Sequence, residues 1–288
     1  MQQQKEVNHE QDVKCGGVRP AFEFFEFQKN GVALENAPLC GLSLLGAGSM
    51  RFRWNEKNDN RTRCLSLLEG TGADKCTVVP VQLEHTHIVY NIKESCDTAG
   101  KIGDGIITVN RTLVPSVTVA DCMPVYLYEP KTGVFGIVHS GWKGTGIAVD
   151  AINLAEKEYG AHPENFYVVL GPHIRDCCYI VNEERAAWFS ENFTPECVRP
   201  LEDGVEVSWN NGAGPLYRLS LEKANLAALK KAGVPQENIR LHKACTCCYK
   251  APDTGDFLYG SNRRETTENG APDKFTVQAA FISFAGNI

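Results

Sequence analysis

No stretch of this chain is apolar for long enough to span a bilayer. Its first ten residues, Met1-Gln-Gln-Gln-Lys-Glu-Val-Asn-His-Glu10, lack the hydrophobic centre of a secretory signal. Together these absences lead to the expectation of a cytoplasmic protein with no membrane partner. Runs of like charge are missing too. Lys and Arg number 29 against 35 Asp and Glu, a net of −6, so nothing suggests the basic stripe of a nucleic-acid binder, and no protein partner is implied. Paired CxxC motifs are absent as well, which argues against a zinc ribbon or finger. Without a signal, the twelve cysteines read as reduced thiols, ligands or a nucleophile rather than as a disulfide framework. Most are expected to be small core residues. The adjacent pair Cys177-Cys178 reads as structural, because neighbouring cysteines rarely pair or chelate together.

What is present is a chain of 288 residues, 43% hydrophobic, enough to bury a large core in one domain. Residues 1–20 are polar and without periodicity, so they read as a loose N-terminal tail before a single catalytic domain over 21–288. Apolar segments bounded by turn residues predict strands at 21–27, 123–128, 134–138, 166–170 and 276–284. The stretch from Cys40 to Phe52 reads as strand, Gly-rich turn and strand. Helical spacing predicts helices over 145–159, after an N-cap at Asn182, and from about Leu219 to Gly233. Such irregular alternation points to an α+β fold: one domain, mixed β-sheets packed together, with flanking helices.

Reactive side chains gather in three stretches: 82–90 with His85 and His87, 118–125 with Asp121 and Cys122, and 136–144 with His139 and Trp142. One Cys and two His meet the rule for a catalytic zinc, three protein ligands and an open position. Cys122 and His139 sit at the two ends of a strand-turn-strand pattern, and a hairpin would bring them side by side. His85 and His87 read as alternating on a strand, facing opposite ways. From the residues alone, Cys122 reads as a buried thiol before it reads as a ligand, and His139 as a strand end bonded to backbone.

These stretches resemble the signature blocks of the multicopper polyphenol oxidase or laccase-domain family, whose members are also described as purine nucleoside phosphorylases and peptidoglycan editing factors. The likeness is strongest over Ala120-Asp-Cys-Met-Pro-Val125 and His139-Ser-Gly-Trp-Lys-Gly144. It extends through Asp104-Gly-Ile-Ile-Thr108, the segment from Gly171 to Tyr179, Asn225-Leu226, Cys245-Thr246 and Asn262-Arg-Arg-Glu265. By resemblance, zinc, with copper as the alternative, is held by His85, Cys122 and His139, and Asp121 and His87 stand behind them. His85 is preferred to His87 because the family His sits four residues before a strand Val, here Val89. Arg263 and Arg264 are the implied contacts for an anionic group, with Arg264 also catalytic, while Trp142 or Tyr179 would stack on a base. The family's early Arg-Gly-Gly is replaced here by Ser43-Leu-Leu-Gly-Ala-Gly48, leaving Arg51 or Arg53 as substitutes.

The activity so implied is zinc-dependent phosphorolysis of adenosine or inosine, with adenosine deamination as a side activity and a purine nucleoside and phosphate as small-molecule partners. Three alternatives stand beside it. A Cys–His amide hydrolase of the peptidoglycan-editing type would use Cys122 and His139, as in a toxin deamidase of similar fold. A copper-dependent polyphenol oxidase is suggested by the family name, but a four-copper centre needs many histidines and this chain has seven, with one His-x-His pair. The last is a non-catalytic metal-binding protein. The H-x-E and P-C-x-x-C pattern of zinc deaminases is absent.

Overall fold

Nearly every residue of the central strands is apolar and buried, so both faces of the sheets must be covered. A computed structural model describes residues 21–70, 75–205, 207, 214–269 and 273–284, and the tail expected at 1–20 lies outside them. In chain order the early strands are β1 (Phe22–Phe25), β2 (Gln28–Lys29), β3 (Val32–Ala33), β4 (Leu39–Ser43), β5 (Thr77–Pro80) and β6 (Val89–Asn91). The middle of the chain supplies β7 (Gly105–Thr108), β8 (Leu113–Val119), β9 (Met123–Glu129), β10 (Val134–Ser140) and β11 (Tyr167–Leu170). Then come β12 (Ile180–Asn182), β13 (Val198–Pro200), β14 (Leu216–Leu219), β15 (Ile239–Leu241) and β16 (Gln278–Ser283). The helices are α1 (Asp59–Leu65), α2 (Ile147–Tyr159), α3 (Glu183–Asn192), α4 (Leu221–Lys231) and α5 (Asn262–Asn269).

Of four sheets among the described residues, the two large mixed ones run β1-β4-β16-β8-β5 and β15-β11-β9-β10-β7-β6, and β12-β14-β13 and β2-β3 are small antiparallel ones. Side-chain alternation along a strand sorts the core into layers. On β9, Tyr126 and Tyr128 face the other sheet and meet Leu42, Val117 and Ile282, while Met123, Val125 and Leu127 face α2 and α4. On β16, Ala280 and Ile282 point between the sheets, and Ala279 and Phe281 point outward to Cys64 and Leu65 of α1. The result is the expected α+β architecture, two mixed sheets packed together between outer helices. Among the described residues no helix is long and apolar enough to cross a membrane.

The predicted strands and helices appear with ends shifted by a few residues. Asn182 caps α3 by accepting from Arg185 N, and Ser220 caps α4 by accepting from Lys223 N. Two expectations are corrected. The second strand expected before Phe52 is absent, because the side chains of α1 and its cap take its backbone carbonyls. Asn60 Nδ2 donates to Ala47 O, Asn58 Nδ2 to Ser49 O and Arg51 O, and the Arg61 guanidinium to Met50 O. The strand expected at His85 and His87 is also absent. Its backbone N–H groups converge on one carboxylate instead, as described next.

Candidate metal centre and cleft

The hairpin of β9 and β10 places His139 opposite Pro124 and Ser140 opposite Met123, which brings Cys122, one residue before β9, beside His139. The third imidazole arrives on a bend rather than a strand. Asp104, fully buried, accepts at its carboxylate from the backbone N–H of Glu84, His85 and Thr86 and from the Thr86 hydroxyl. Holding three consecutive N–H groups on one carboxylate forces the chain to turn, and His85 lies in the left-handed region at φ 55. The same carboxylate bonds His139 Nδ1 at 2.8 Å, leaving its Nε2 for the site.

His85, Cys122 and His139 thereby bring one ligand atom each within 4.8 Å of the others. His85 Nε2 is 4.0 Å from Cys122 Sγ. The space between them depends on Gly141: a Cβ there would lie 2.6 Å from Cys122 Sγ and 3.2 Å from the His85 ring. Burial opposes ionisation of the Cys122 thiol, but the charge and hydrogen bonds of His139 and His85 outweigh it and lower the thiol to about 6. Burial likewise opposes charge on His139, but Cys122 and Asp104 together raise it. Two imidazoles and a thiolate, held by a carboxylate behind one ring, are a donor set that fits zinc.

The cluster lies at the base of a cleft of about 660 Å³. Its walls include Arg51, Arg53, Trp142, Tyr179, Arg185 and Arg263. The Arg185 guanidinium stacks on the Trp142 ring at 3.6 Å from its centroid, and its Nη1 lies 3.4 Å from the Tyr179 hydroxyl. Arg51 and Arg53 thus reach the cleft, whereas Leu44 is buried in the core.

The other singled-out residues take different places. Asp121, at φ 77 and buried, accepts from Thr246 Oγ1 at 2.7 Å and from Arg263 N at 2.6 Å, tying the segment before Cys122 to two distant loops. His87 turns away, to Asp150 Oδ2 at 2.6 Å and Lys143 O at 3.0 Å. Arg264 is buried outside the cleft lining; its guanidinium donates to Thr246 O, Cys247 O, Tyr259 O and Glu265 Oε1. Sequence reasoning missed three residues. Asp104 and Gly141 lie inside the resembling blocks but nothing local in the sequence assigns them a role, and Arg185 has no pattern to mark it. It also missed a second cluster, Cys177, Cys178, Cys245 and Cys248, whose sulfurs all lie within 4.8 Å of one another. Its one linear trace is the spacing Cys245-x-x-Cys248.

Residues 54–271 match the family described as multi-copper polyphenol oxidoreductase laccase. The purine nucleoside phosphorylase YlmD of Geobacillus stearothermophilus is 32% identical over 169 residues, 58% of this chain and 57% of that protein. The mouse purine nucleoside phosphorylase LACC1 is 33% identical over 152 residues, 51% of this chain and 33% of LACC1. The match thus spans little more than half of the one relative and a third of the other. Crystal structures of similar fold include the Bacillus licheniformis hypothetical protein YfiH, with TM-score 0.69 and 24% identity over 85% of this chain and 92% of that one. YlmD from Geobacillus stearothermophilus superposes with TM-score 0.67 and 23% identity over 95% of this chain and 99% of that one. Among the described residues the two groups able to hold a metal contain two histidines at most, too few for a multi-copper centre.

Proposed function

The chain belongs to the laccase-domain family of multi-copper polyphenol oxidoreductases, and from that premise we propose that it is a zinc-dependent purine nucleoside phosphorylase of the cytoplasm. The carrying observation is the His85, Cys122 and His139 cluster at the base of a cleft rimmed by arginines and a stacked Trp142. The relatives named for this activity supply the substrate class. Bound zinc would supply Lewis acidity toward an oxygen of the reacting partners.

The chain's own residues do the rest. Asp104 holds the His139 ring so that Nδ1 carries the proton and Nε2 faces the cluster. Trp142, flattened under Arg185, offers a face of the right size for a purine. Arg263, Arg51 and Arg53 all line the cleft and give guanidinium groups that suit phosphate. Arg264 holds the loop behind Arg263 by its backbone bonds and acts on the reaction through that neighbour. A phosphate oxygen bonds to the ribose C1′ as the C1′–N9 bond breaks. The purine leaves with the bonding pair and takes the phosphate's proton, giving free base and ribose 1-phosphate.

The test is product analysis with inosine and adenosine across a phosphate titration, on protein assayed for metal. Hypoxanthine or adenine with ribose 1-phosphate, rising with phosphate, supports the reading. Phosphate-independent base release would mean hydrolysis, and inosine formed from adenosine would reveal the deaminase side activity. One observation favours a second reading: Cys122, His139 and Asp104 stand in a line, with the thiol lowered to about 6, as a thiol nucleophile requires. Amide cleavage of a cell-wall peptide by metal-free protein, blocked by alkylation of Cys122, would decide for it.

A further inference from the structure

The four thiols of Cys177, Cys178, Cys245 and Cys248 come from two loops that the fold clamps together. Thr246 N donates to His173 O at 3.0 Å, and Arg175 N donates to Cys245 Sγ at 3.3 Å. All four sulfurs lie within 4.8 Å of one another. Four sulfurs this close together can share one ion. Cys177 Sγ and Cys248 Sγ are 3.7 Å apart. That is the edge length expected of a zinc tetrathiolate, where sulfurs about 2.3 Å from the ion lie about 3.8 Å from each other. A disulfide would need about 2.0 Å.

Apolar packing does not account for the grouping, since Cys177 and Cys248 are exposed. The surroundings are instead donor-rich. Arg218 donates to Asp176 O and Cys177 O, Arg263 to Cys178 O and Ile180 O, and Arg264 to Thr246 O and Cys247 O. Arg218 also pairs with Glu202 and Arg264 with Glu265, so these arginines fix the backbone of the two cysteine loops in place. A backbone N–H aimed at sulfur, as from Arg175, is a donor that favours thiolate over thiol.

We propose that Cys177, Cys178, Cys245 and Cys248 form a second, structural zinc site, separate from the cleft and closed on all four sides by sulfur. Its place in the fold gives it a task. Zinc there staples the loop that carries Tyr179 to the loop that carries Thr246. Through Thr246 and Arg263 it braces Asp121, the residue before Cys122. The site stands whether the cleft performs phosphorolysis or amide hydrolysis.

The experiment is metal analysis of the full chain, purified under reducing conditions, with cobalt(II) substitution as a second readout. Wild type is expected to carry two zinc ions per chain, and Cys122→Ala and Cys245→Ser one each. Cobalt-loaded Cys122→Ala should keep the intense charge-transfer band of four thiolates on cobalt, which in Cys245→Ser falls to the weaker band of the single Cys122 thiolate. Cys247→Ser, beside the cluster, should retain both ions. If Cys245→Ser fails to fold, timed release of zinc from Cys122→Ala by a thiol-blocking mercurial, one ion for four thiols, replaces it. A Cys177–Cys248 disulfide in that protein, or one zinc in wild type and none in Cys122→Ala, overturns the proposal.

Discussion

The two sulfur-bearing clusters of this molecule are built in opposite ways. The cleft cluster mixes two imidazoles with one thiolate, draws them from a hairpin and a bend, and leaves one side open to about 660 Å³ of space. The loop cluster gathers four sulfurs from two short turns, with arginines bonded to their backbone. An open mixed set leaves room for a reacting partner, and a closed sulfur set leaves none. The difference teaches that the number of thiols near one another does not mark the reactive site. The supporting residues do: Asp104 and Gly141 at the cleft serve donor orientation and space, whereas Arg218 and Arg264 hold the backbone of the cysteine loops.

The sharpest way to break the contrast is Cys122→Ala. It should remove the cleft metal and lower kcat/KM for nucleoside by about a hundred- to a thousandfold, the scale of losing a principal electrostatic stabiliser. Metal analysis beside steady-state kinetics checks this; unchanged turnover would place the reaction elsewhere. Asp104→Asn should weaken cleft metal affinity about ten- to a hundredfold, measured by competition with a zinc chelator. Gly141→Ala tests space rather than chemistry. Its new methyl meets Cys122 Sγ at 2.6 Å, so overpacking of about 1–3 kcal/mol should fall on the cluster. Calorimetry and metal content of the purified variant read it out.

Arg263 and Arg264 separate the cleft from its support. Arg263→Ala should raise the phosphate KM about tenfold, the scale of one charge-assisted hydrogen bond. Arg264→Ala should act first on stability, lowering Tm, because it strips four acceptors of a buried partner. A phosphate titration and a melting curve on each variant distinguish them. The smallest effect belongs to His87→Ala. Its pairing with Asp150 is half exposed, so about 0–1 kcal/mol of stability is at stake, and cleft metal content should not change.

How much could be read from the chain depended on the kind of residue. Apolar runs marked β9, β10, β11 and β16, since a strand buried on both faces has no other composition available. Asn182 was legible as a cap because its job is local. The second strand before Phe52 was misread because distant amides of α1 take the carbonyls that a ladder would have used. Likewise, alternation placed His85 and His87 on a strand, while Asp104, 19 positions on from His85, bent the segment. Arg264 looked like its neighbour, and only burial separates the two.

By itself, the sequence determined the layered core, the helix caps and the short blocks in which Cys122 and His139 sit at the ends of one hairpin, because hydrophobic periodicity and capping act over a few residues. Tertiary structure alone decided how His85 is bent toward the thiol, which arginine faces the cleft and that four scattered cysteines converge. Those outcomes hang on Asp104, Asp121 and Thr246, whose bonds join segments far apart in the chain. A buried carboxylate takes whichever donors the fold delivers to it, and linear spacing carries no record of that delivery.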